Sequence, residues 1–383
     1  WYQRRVRGMN NVQQHILFAL HTSLTSGAVF SWIVFEIYLS EKQLIGMKYS
    51  GCGFMIGVLT FIISSILFHI RFLAVLLSKI SYKNLNIVGS FIFVLGLGFA
   101  GLGAVLQPEL LFVSVFLISL AGSLIYSMQF LLYSGFKFHA VLSSCSFAVS
   151  SLLFQAFELF HRLWVPLTVW ASLVALFSVS FTPIIKNLQL HKSTINALKS
   201  VIKLRQLYKY YINVLFSMAI KCYYQNSYFS RLAKINKKEA DLQLIMTIAN
   251  FSSILSGLLN FFQLQTAHAF STIIAIVFGI LVIFDDNIII IAVNLFLMNI
   301  SSTGIVTSAI SECCKENFEA SSIIYFSLLV GDMCGFIPFS KLVDRIFASC
   351  ALICQATVVG IILCNNIISK LKGQTALKQY RQM

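Results

Sequence analysis

Long apolar stretches alternate with short polar or basic connectors from Ile16 to Ser369. A helix needs about 20 mainly apolar residues to cross the hydrocarbon core of a bilayer. Only helices and closed barrels satisfy their backbone polar groups there. The alternation therefore predicts about 12 membrane-spanning helices, expected at 15–38, 50–70, 85–106, 110–132, 140–160, 163–185, 211–230, 242–262, 268–284, 287–310, 321–341 and 346–368.

The composition supports an all-α polytopic membrane protein. Hydrophobic residues make up 58% of the chain and charged residues only 11%, whereas soluble proteins carry about 25% charged residues. The net charge of +15 is explained by the Lys and Arg residues that membrane proteins collect in their cytosolic loops. We therefore expect the lipid bilayer, and no nucleic acid, as a partner.

The distribution of Lys and Arg predicts the orientation. With both termini in the cytosol, the cytosolic side holds about twice as many basic residues as the outer side. The basic cluster from Arg231 to Lys238 falls on the outer side in this scheme, which leaves an error of one span near 211–240 open. Because the chain starts at Trp1 rather than Met, we expect native residues before it, and the basic N-terminal segment is typical of a cytosolic anchor.

The spans divide into two similar halves. We expect a cytosolic segment at 1–14, a six-helix bundle at 15–185, a basic cytosolic connector at 186–210, a second six-helix bundle at 211–369 and a cytosolic tail at 370–383. Apolar residues recur at helical intervals in the connector, which predicts an amphipathic surface helix. Two halves that rock around a site near the midplane are typical of secondary transporters.

Two stretches carry a family resemblance. Residues 24–32 read Leu-Thr-Ser-Gly-Ala-Val-Phe-Ser-Trp and precede the acidic loop 40–42, and residues 145–157 contain a Ser-Ser pair followed by Phe154. They resemble the first and fifth helices of the major facilitator amino acid transporters of solute carrier family 43 and their apicomplexan relatives. Ala148 stands where that family usually has Asp, and its acidic-basic loop motif is reduced at 78–84. The resemblance implies the major facilitator fold and an amino acid as the solute.

Polar residues inside spans supply the candidate solute site, because they are costly in a bilayer and usually face the bundle interior. Ser144, Ser151, Gln155 and Glu158 share one face of a regular helix. The alternative for the serines is close helix packing. Gly27 and Gly335 are candidate helix interruptions, whose exposed N–H groups could bind a carboxylate. The predicted solute-binding residues are Ser26, Gly27, Trp32, Ser151, Gln155, Gln225 and Asn299.

Two ionisable residues of the second half fall near the middle of their spans, Lys221 in the seventh and Asp332 in the eleventh. Each needs a partner at matching depth, so we predict a buried Lys221–Asp332 ion pair. His21 is the one histidine that deserves consideration as a proton relay. Because Glu36 lies near the outer end of its span and not at the centre, we expect facilitative or exchange transport.

Other functions find less support in the sequence. Neither a hydrolase triad nor a phosphate-binding glycine loop is recognisable, and the cysteines lack metal-ligand spacing. We expect no enzyme activity, cofactor or metal. The alternatives are an organic-anion or monocarboxylate carrier of the same fold, and a seven-helix chemosensory receptor or ligand-gated channel. We expect a monomer that binds a small-molecule solute in the plasma membrane, with an organelle membrane as the alternative.

Overall fold

The computed structural model describes the larger part of the chain, and every structural statement below concerns those residues. They are 11–41, 52–69, 82–133, 149–154, 156–160, 162–181, 208–232, 245, 247–249, 251–256, 258, 273, 276–277, 280, 288–316, 327–331 and 353. These residues form helices and turns, and no strand occurs among them. The Lys and Arg clusters around 186–207 and 233–244 lie outside them.

Seven long helices run through the described residues, and each overlaps one predicted span. They are α1 (Asn11–Glu41), α2 (Cys52–His69), α3 (Tyr82–Val105), α4 (Leu110–Tyr133), α5 (Trp164–Phe181), α6 (Tyr208–Leu232) and α7 (Ile288–Glu316). Several boundaries differ from the expectation: α1 begins four residues earlier than predicted, at Asn11, and α7 continues six residues beyond its predicted end, to Glu316. The last turn of α1 includes Ser40 and Glu41, which were predicted as loop, and α6 begins three residues inside the predicted connector.

Several helices have the length and composition of membrane spans. Three apolar stretches are long enough to cross a bilayer, and they lie at Lys83–Val105, Leu110–Met128 and Ile289–Val306. Shorter apolar helices occupy Ile16–Trp32, Gly53–Leu67 and Trp164–Ser180. The outer surfaces of α3 and α5 expose large apolar side chains, as expected of helices that face lipid. The chain is an integral membrane protein.

Helices α3 and α4 form a tight antiparallel hairpin. A turn at 106–109 joins them. The hydroxyl of Ser114 donates a hydrogen bond of 2.7 Å to the carbonyl oxygen of Gly96. A Cβ at Gly96 would lie 3.2 Å from the backbone N of Ile118. Small residues thus let the two backbones approach closely, which is the usual way that helices pack in a membrane.

Helix α1 is the centre of the first half. It contacts α2, α4 and α5, and most of its described side chains from Phe18 to Leu39 are buried. The indole Nε1 of Trp170 on α5 donates a 2.8 Å hydrogen bond to the carbonyl oxygen of Leu24. The same indole ring packs edge-on against Phe154, at a centroid distance of 4.8 Å. Polar and aromatic contacts together hold α5 and the segment 149–154 against α1.

In the second half, α6 packs against α7. The hydroxyl of Ser256 donates a 2.8 Å hydrogen bond to the carbonyl oxygen of Ile300, so segment 251–256 also lies on α7. Segment 327–331 approaches α6 closely, because a Cβ at Gly331 would overlap the carbonyl of Leu215 and lie 3.1 Å from the Cβ of Met218. Helix α6 therefore lies against both elements.

Candidate functional site

The predicted solute-binding serines make hydrogen bonds between helices. Ser26 on α1 donates to the carbonyl oxygen of Gly122 on α4 at 2.8 Å. The hydroxyls of Ser31 on α1 and Ser151 lie 2.9 Å apart. Both Ser26 and Ser151 are buried. Their hydroxyls thus perform the packing role that was the alternative interpretation, and their part in solute binding stays a prediction.

Gly27 does not interrupt α1. The helix is regular from Asn11 to Glu41 and passes through Gly27 without a break. The prediction of an interrupted helix at this position is wrong, because the backbone N–H of a residue inside a regular helix is bonded to the preceding turn. Gly27 is buried, and contact with solute stays a prediction for it. Gly335 lies outside the described residues.

The fifth predicted span changes helix type near its end. Residues 149–154 are α-helical, and Ala156–Leu159 form a 3₁₀ turn. A 3₁₀ turn has three residues per turn instead of 3.6, so the single helical face predicted to run from Ser151 to Glu158 is not maintained. Gln155 itself lies outside the described residues.

Trp32 and Glu36, near the end of α1, take part in a polar contact with the start of α2. The indole Nε1 of Trp32 donates to Oε1 of Glu36 at 3.2 Å, and the backbone N of Phe54 donates to the same oxygen at 3.0 Å. Both side chains are buried. Gly53 makes the contact possible, because a Cβ there would overlap Oε1 of Glu36.

A small pocket adjoins this contact. Trp32, Glu36 and Gly53 line it together with Pro108 and Glu109 from the α3–α4 turn. Its volume of about 20 Å³ is enough for roughly one water molecule. A small-molecule solute does not fit there, so Trp32 touches a pocket that is too small for the predicted cargo.

His21 takes part in a buried network between three helices. Its Nε2 lies 3.0 Å from Oγ of Ser90 on α3, and that hydroxyl donates to the carbonyl oxygen of Asn86 at 2.8 Å. Nδ2 of Asn86 donates to Oγ of Ser178 on α5 at 3.3 Å. The network connects α1, α3 and α5, so it fixes their packing.

Helix α6 differs from the other long helices in its polarity. Its 25 residues contain no stretch that meets the composition of a membrane span, long or short. Nevertheless, Asn213 and Ser217 on this helix are buried, and Lys221 is half-buried. The three residues follow one another at intervals of four, so they lie along one side of α6. Gln225 occupies the next position in the same series.

Helix α7 carries the predicted Asn299, which is 2% exposed. Its carboxamide Nδ2 has no hydrogen-bond partner among the described residues. Oδ1 of Asn213 and Oγ of Ser217 on α6 are in the same situation. A buried polar group without a partner is costly. The hydroxyls of Ser26 and Ser31 on α1, in contrast, are bonded, whereas Oγ of Ser119 and Oγ of Ser127 on α4 also lack a partner among the described residues.

The predicted partner of Lys221 lies outside the described residues, since the described segment ends at Gly331. Gly331 contacts α6 at Leu215 and Met218, about one turn before Lys221. The seventh and eleventh predicted spans are therefore neighbours, as the pairing requires. The Lys221–Asp332 ion pair itself stays a prediction. Among the described residues, no group of three His, Cys, Asp or Glu side chains could hold a metal ion.

No protein-family model matches the chain, and no curated protein matches it. Solved structures do. The fucose:proton symporter of Escherichia coli superposes with a TM-score of 0.59 at 13% identity, and covers 91% of this chain and 98% of its own. The nucleoside transporter NupG gives 0.55 at 16% identity over 92% and 99%.

The fold is of the major facilitator type. This confirms the predicted all-α membrane fold of the major facilitator type, while the number of 12 spans stays a prediction. A likeness at 13–16% identity shows the shared architecture only. It does not test the more specific resemblance to solute carrier family 43, which stays a prediction.

Sequence reasoning missed two residues of the polar side of α6. Asn213 and Ser217 were passed over in favour of Lys221 and Gln225, which are larger and more polar. The signal was present, because four polar residues at intervals of four in one span are typical of a helix with a single polar side. The partner of Glu36, the backbone N of Phe54, carried no sequence signal at all.

Proposed function

We propose that the chain is a secondary transporter that moves a small polar solute across a membrane by alternating access. The observation that carries this proposal is the major facilitator fold combined with polar side chains buried in α6 and α7. Polar groups are costly inside a bilayer protein, and those that persist usually face a pathway for water or solute. Two rocking halves around a site near the midplane are the common mechanism of such folds.

An amino acid is the solute that the resemblance of residues 24–32 and 145–157 implies. The proposed contacts are Ser26, Gly27, Trp32, Ser151, Gln155, Gln225 and Asn299. A second class is favoured by the neighbouring structures, whose names give fucose and nucleosides as their solutes. Both are uncharged and rich in hydroxyl groups. An organic anion or monocarboxylate is the third class.

We propose facilitative or exchange transport. Glu36 lies towards the end of α1 and already accepts hydrogen bonds from Trp32 and Phe54. A carboxylate in this position stabilises the contact between α1 and α2, which is a structural task. Proton-coupled symport ordinarily needs a carboxylate near the centre of the first span. No such carboxylate is recognisable there, which agrees with facilitative or exchange transport.

Reconstitution of the purified chain into liposomes tests the proposal. Liposomes preloaded with one unlabelled compound receive the labelled form of the same compound outside, without any ion gradient. The panel is leucine, glucose, uridine and lactate, and liposomes without protein are the control. Saturable counterflow of one class is the expected result. Counterflow that requires a proton gradient would contradict the facilitative mechanism, and the absence of counterflow for every compound would contradict transport of these classes.

A further inference from the structure

Helix α6 is polar in sequence yet buried in the fold. It contains no apolar stretch of the kind found in α3, α4 and α7, but Asn213 is only 7% exposed and Ser217 only 2%. Its buried side chains are enclosed by protein and face neither lipid nor bulk solvent. A polar helix in that position is typical of one that lines a pathway through the bundle.

The polar atoms on this helix lack partners. Oδ1 of Asn213 and Oγ of Ser217 are buried and make no hydrogen bond among the described residues. Some buried hydroxyls elsewhere are bonded, since Ser114 donates to Gly96 and Ser256 donates to Ile300. Others, such as Ser119 and Ser127 on α4, also lack a partner among the described residues, but these two are separated by two helical turns, whereas Asn213 and Ser217 are one turn apart. The adjacent pair on α6 is informative because the cost of a buried polar atom without a partner is larger than the net gain from an ordinary hydrogen bond. A group from outside the chain is therefore expected to bind there.

The two residues are one helical turn apart, so their side chains lie about 6 Å apart along the same side of α6. The oxygen of an asparagine carboxamide accepts a hydrogen bond, and a serine hydroxyl both donates and accepts. Neither group carries a charge. Asn299 on the neighbouring α7 adds a carboxamide N–H donor that has no partner among the described residues.

We propose that Asn213 and Ser217 form a hydrogen-bonding subsite for an uncharged, hydroxyl-rich solute such as a sugar or nucleoside. A carboxylate or an ammonium group of the solute is best compensated by a charge of opposite sign, and the nearest charge in this series, that of Lys221, is assigned to the predicted pair with Asp332. A hydroxyl group of the solute, in contrast, donates to the Asn213 oxygen and exchanges hydrogen bonds with Ser217. This inference rests on the proposed transport function and narrows its solute class.

The first test measures counterflow of glucose, uridine, leucine and lactate by the full chain. Glucose or uridine is expected to exchange, and Asn213→Leu and Ser217→Ala are expected to raise the KM of that solute about five- to tenfold each, as for the loss of one neutral hydrogen bond. Ser256→Ala is the matched control, since its hydroxyl bonds within the protein, and its KM is expected to stay unchanged. Exchange of leucine or lactate alone would overturn the solute class.

Thermal stability separates a binding role from a structural one. Replacing a buried polar group that has no partner by an apolar group costs little stability, so the Tm of solute-free Asn213→Leu and Ser217→Ala is expected to equal or exceed that of the parent. Ser256→Ala is expected to lower it. A clear fall in Tm for both α6 variants, or an unchanged KM, would overturn the subsite.

Access from water is a third readout, and it needs no transported solute. Ser217→Cys is expected to react with a small hydrophilic methanethiosulfonate and to gain one label per chain over the parent by mass spectrometry. Ser114→Cys, which replaces a hydroxyl in the α3–α4 contact, is expected to gain none. If no compound of the panel exchanges, the proposed function fails, while labelling of Ser217→Cys still supports a water-filled pathway along α6. Absence of that label overturns the subsite.

Discussion

Glu36 on α1 accepts a 3.0 Å hydrogen bond from the backbone N–H of Phe54, in the first turn of α2. The first N–H groups of a helix have no partner within the helix, and a carboxylate near them interacts favourably with the positive end of the helix dipole. Trp32 donates to the same oxygen from the preceding turn of α1. One buried carboxylate thus joins the end of α1 to the start of α2.

Removing this carboxylate should destabilise the protein. Glu36→Leu leaves two buried donors without an acceptor, and we expect a loss of about 2–4 kcal/mol in the free energy of unfolding. Glu36→Gln keeps an acceptor oxygen and should lose clearly less. Thermal unfolding in detergent compares the two. Glu109→Gln, on the exposed rim of the same pocket, is the control and should leave the stability unchanged; equal losses for Glu36→Leu and Glu36→Gln would contradict the role of the acceptor.

Gly53 should be intolerant of a side chain. A Cβ at this position overlaps Oε1 of Glu36 and lies 3.0 Å from Nε1 of Trp32, so Gly53→Ala has to displace the carboxylate. We expect a loss of about 1–3 kcal/mol. Gly98→Ala is the matched control, because nothing lies within 4 Å of a Cβ there, and alanine is favoured over glycine inside a helix by about 1 kcal/mol. Loss of stability in both variants would show that the overlap with Glu36 is not the cause.

The extent of the helices could be predicted from the sequence, but their mutual contacts could not. The ends of α3 and α4 agree with the predicted spans within three residues, because Lys83 and Pro108 mark sharp changes in polarity. The end of α1 was placed too early, since Ser40 and Glu41 favour a loop by composition but continue the helix. Hydropathy reports the thickness of the bilayer and does not report where a helix ends outside it.

For the candidate site, too, residues could be selected from the sequence, but their contacts could not be predicted. Ser26 was selected because it is a polar residue inside a predicted span, and it does lie inside α1. Its hydrogen-bond acceptor, however, is the carbonyl oxygen of Gly122 on another helix. No sequence rule identifies a backbone carbonyl 96 positions away as the partner. The spacing of Asn213 and Ser217 was visible in the sequence, but that they lack a partner among the described residues becomes visible only after the neighbouring helices have been packed.

Ser31 and Ser151 should be energetically coupled. Their hydroxyls lie 2.9 Å apart between α1 and segment 149–154, and both are buried. In a double-mutant cycle of Ser31→Ala, Ser151→Ala and the double variant, we expect a coupling of about 0.6 kcal/mol, the usual size for such bonds in membrane proteins. Thermal or denaturant unfolding in detergent provides the four free energies. Strict additivity would show that the bond contributes nothing.

The basic connector should be dispensable for solute binding. Because α6 begins at Tyr208, the exchange is confined to residues 186–207. A Gly-Ser linker of the same length behaves as a flexible coil that still spans the distance, and the KM for the transported solute is expected to stay within about twofold of the parent. Size-exclusion chromatography confirms that the variant is folded. A folded variant that no longer binds solute would show that the connector belongs to the site.

Lys221 and Asp332 should form a buried ion pair. Gly331 lies against Leu215 and Met218 of α6, about one turn before Lys221, and Asp332 is the next residue in the sequence. Side chains on a helix lean towards its N-terminus, which directs the half-buried Lys221 back towards the level of Met218. A charge at this depth requires a partner of opposite sign.

Charge removal tests this pair. Lys221→Met or Asp332→Asn alone leaves the opposite charge unpaired inside the bundle. Each single change should lower the free energy of unfolding by roughly 3–5 kcal/mol. The double variant removes both charges and should regain much of that loss. Thermal unfolding of the three variants in detergent measures the effect, and Lys83→Met, at the first turn of α3, controls for the loss of a lysine near the membrane surface. A double variant as unstable as the sum of the two single ones means that the residues act independently, and Lys221 then has a different partner.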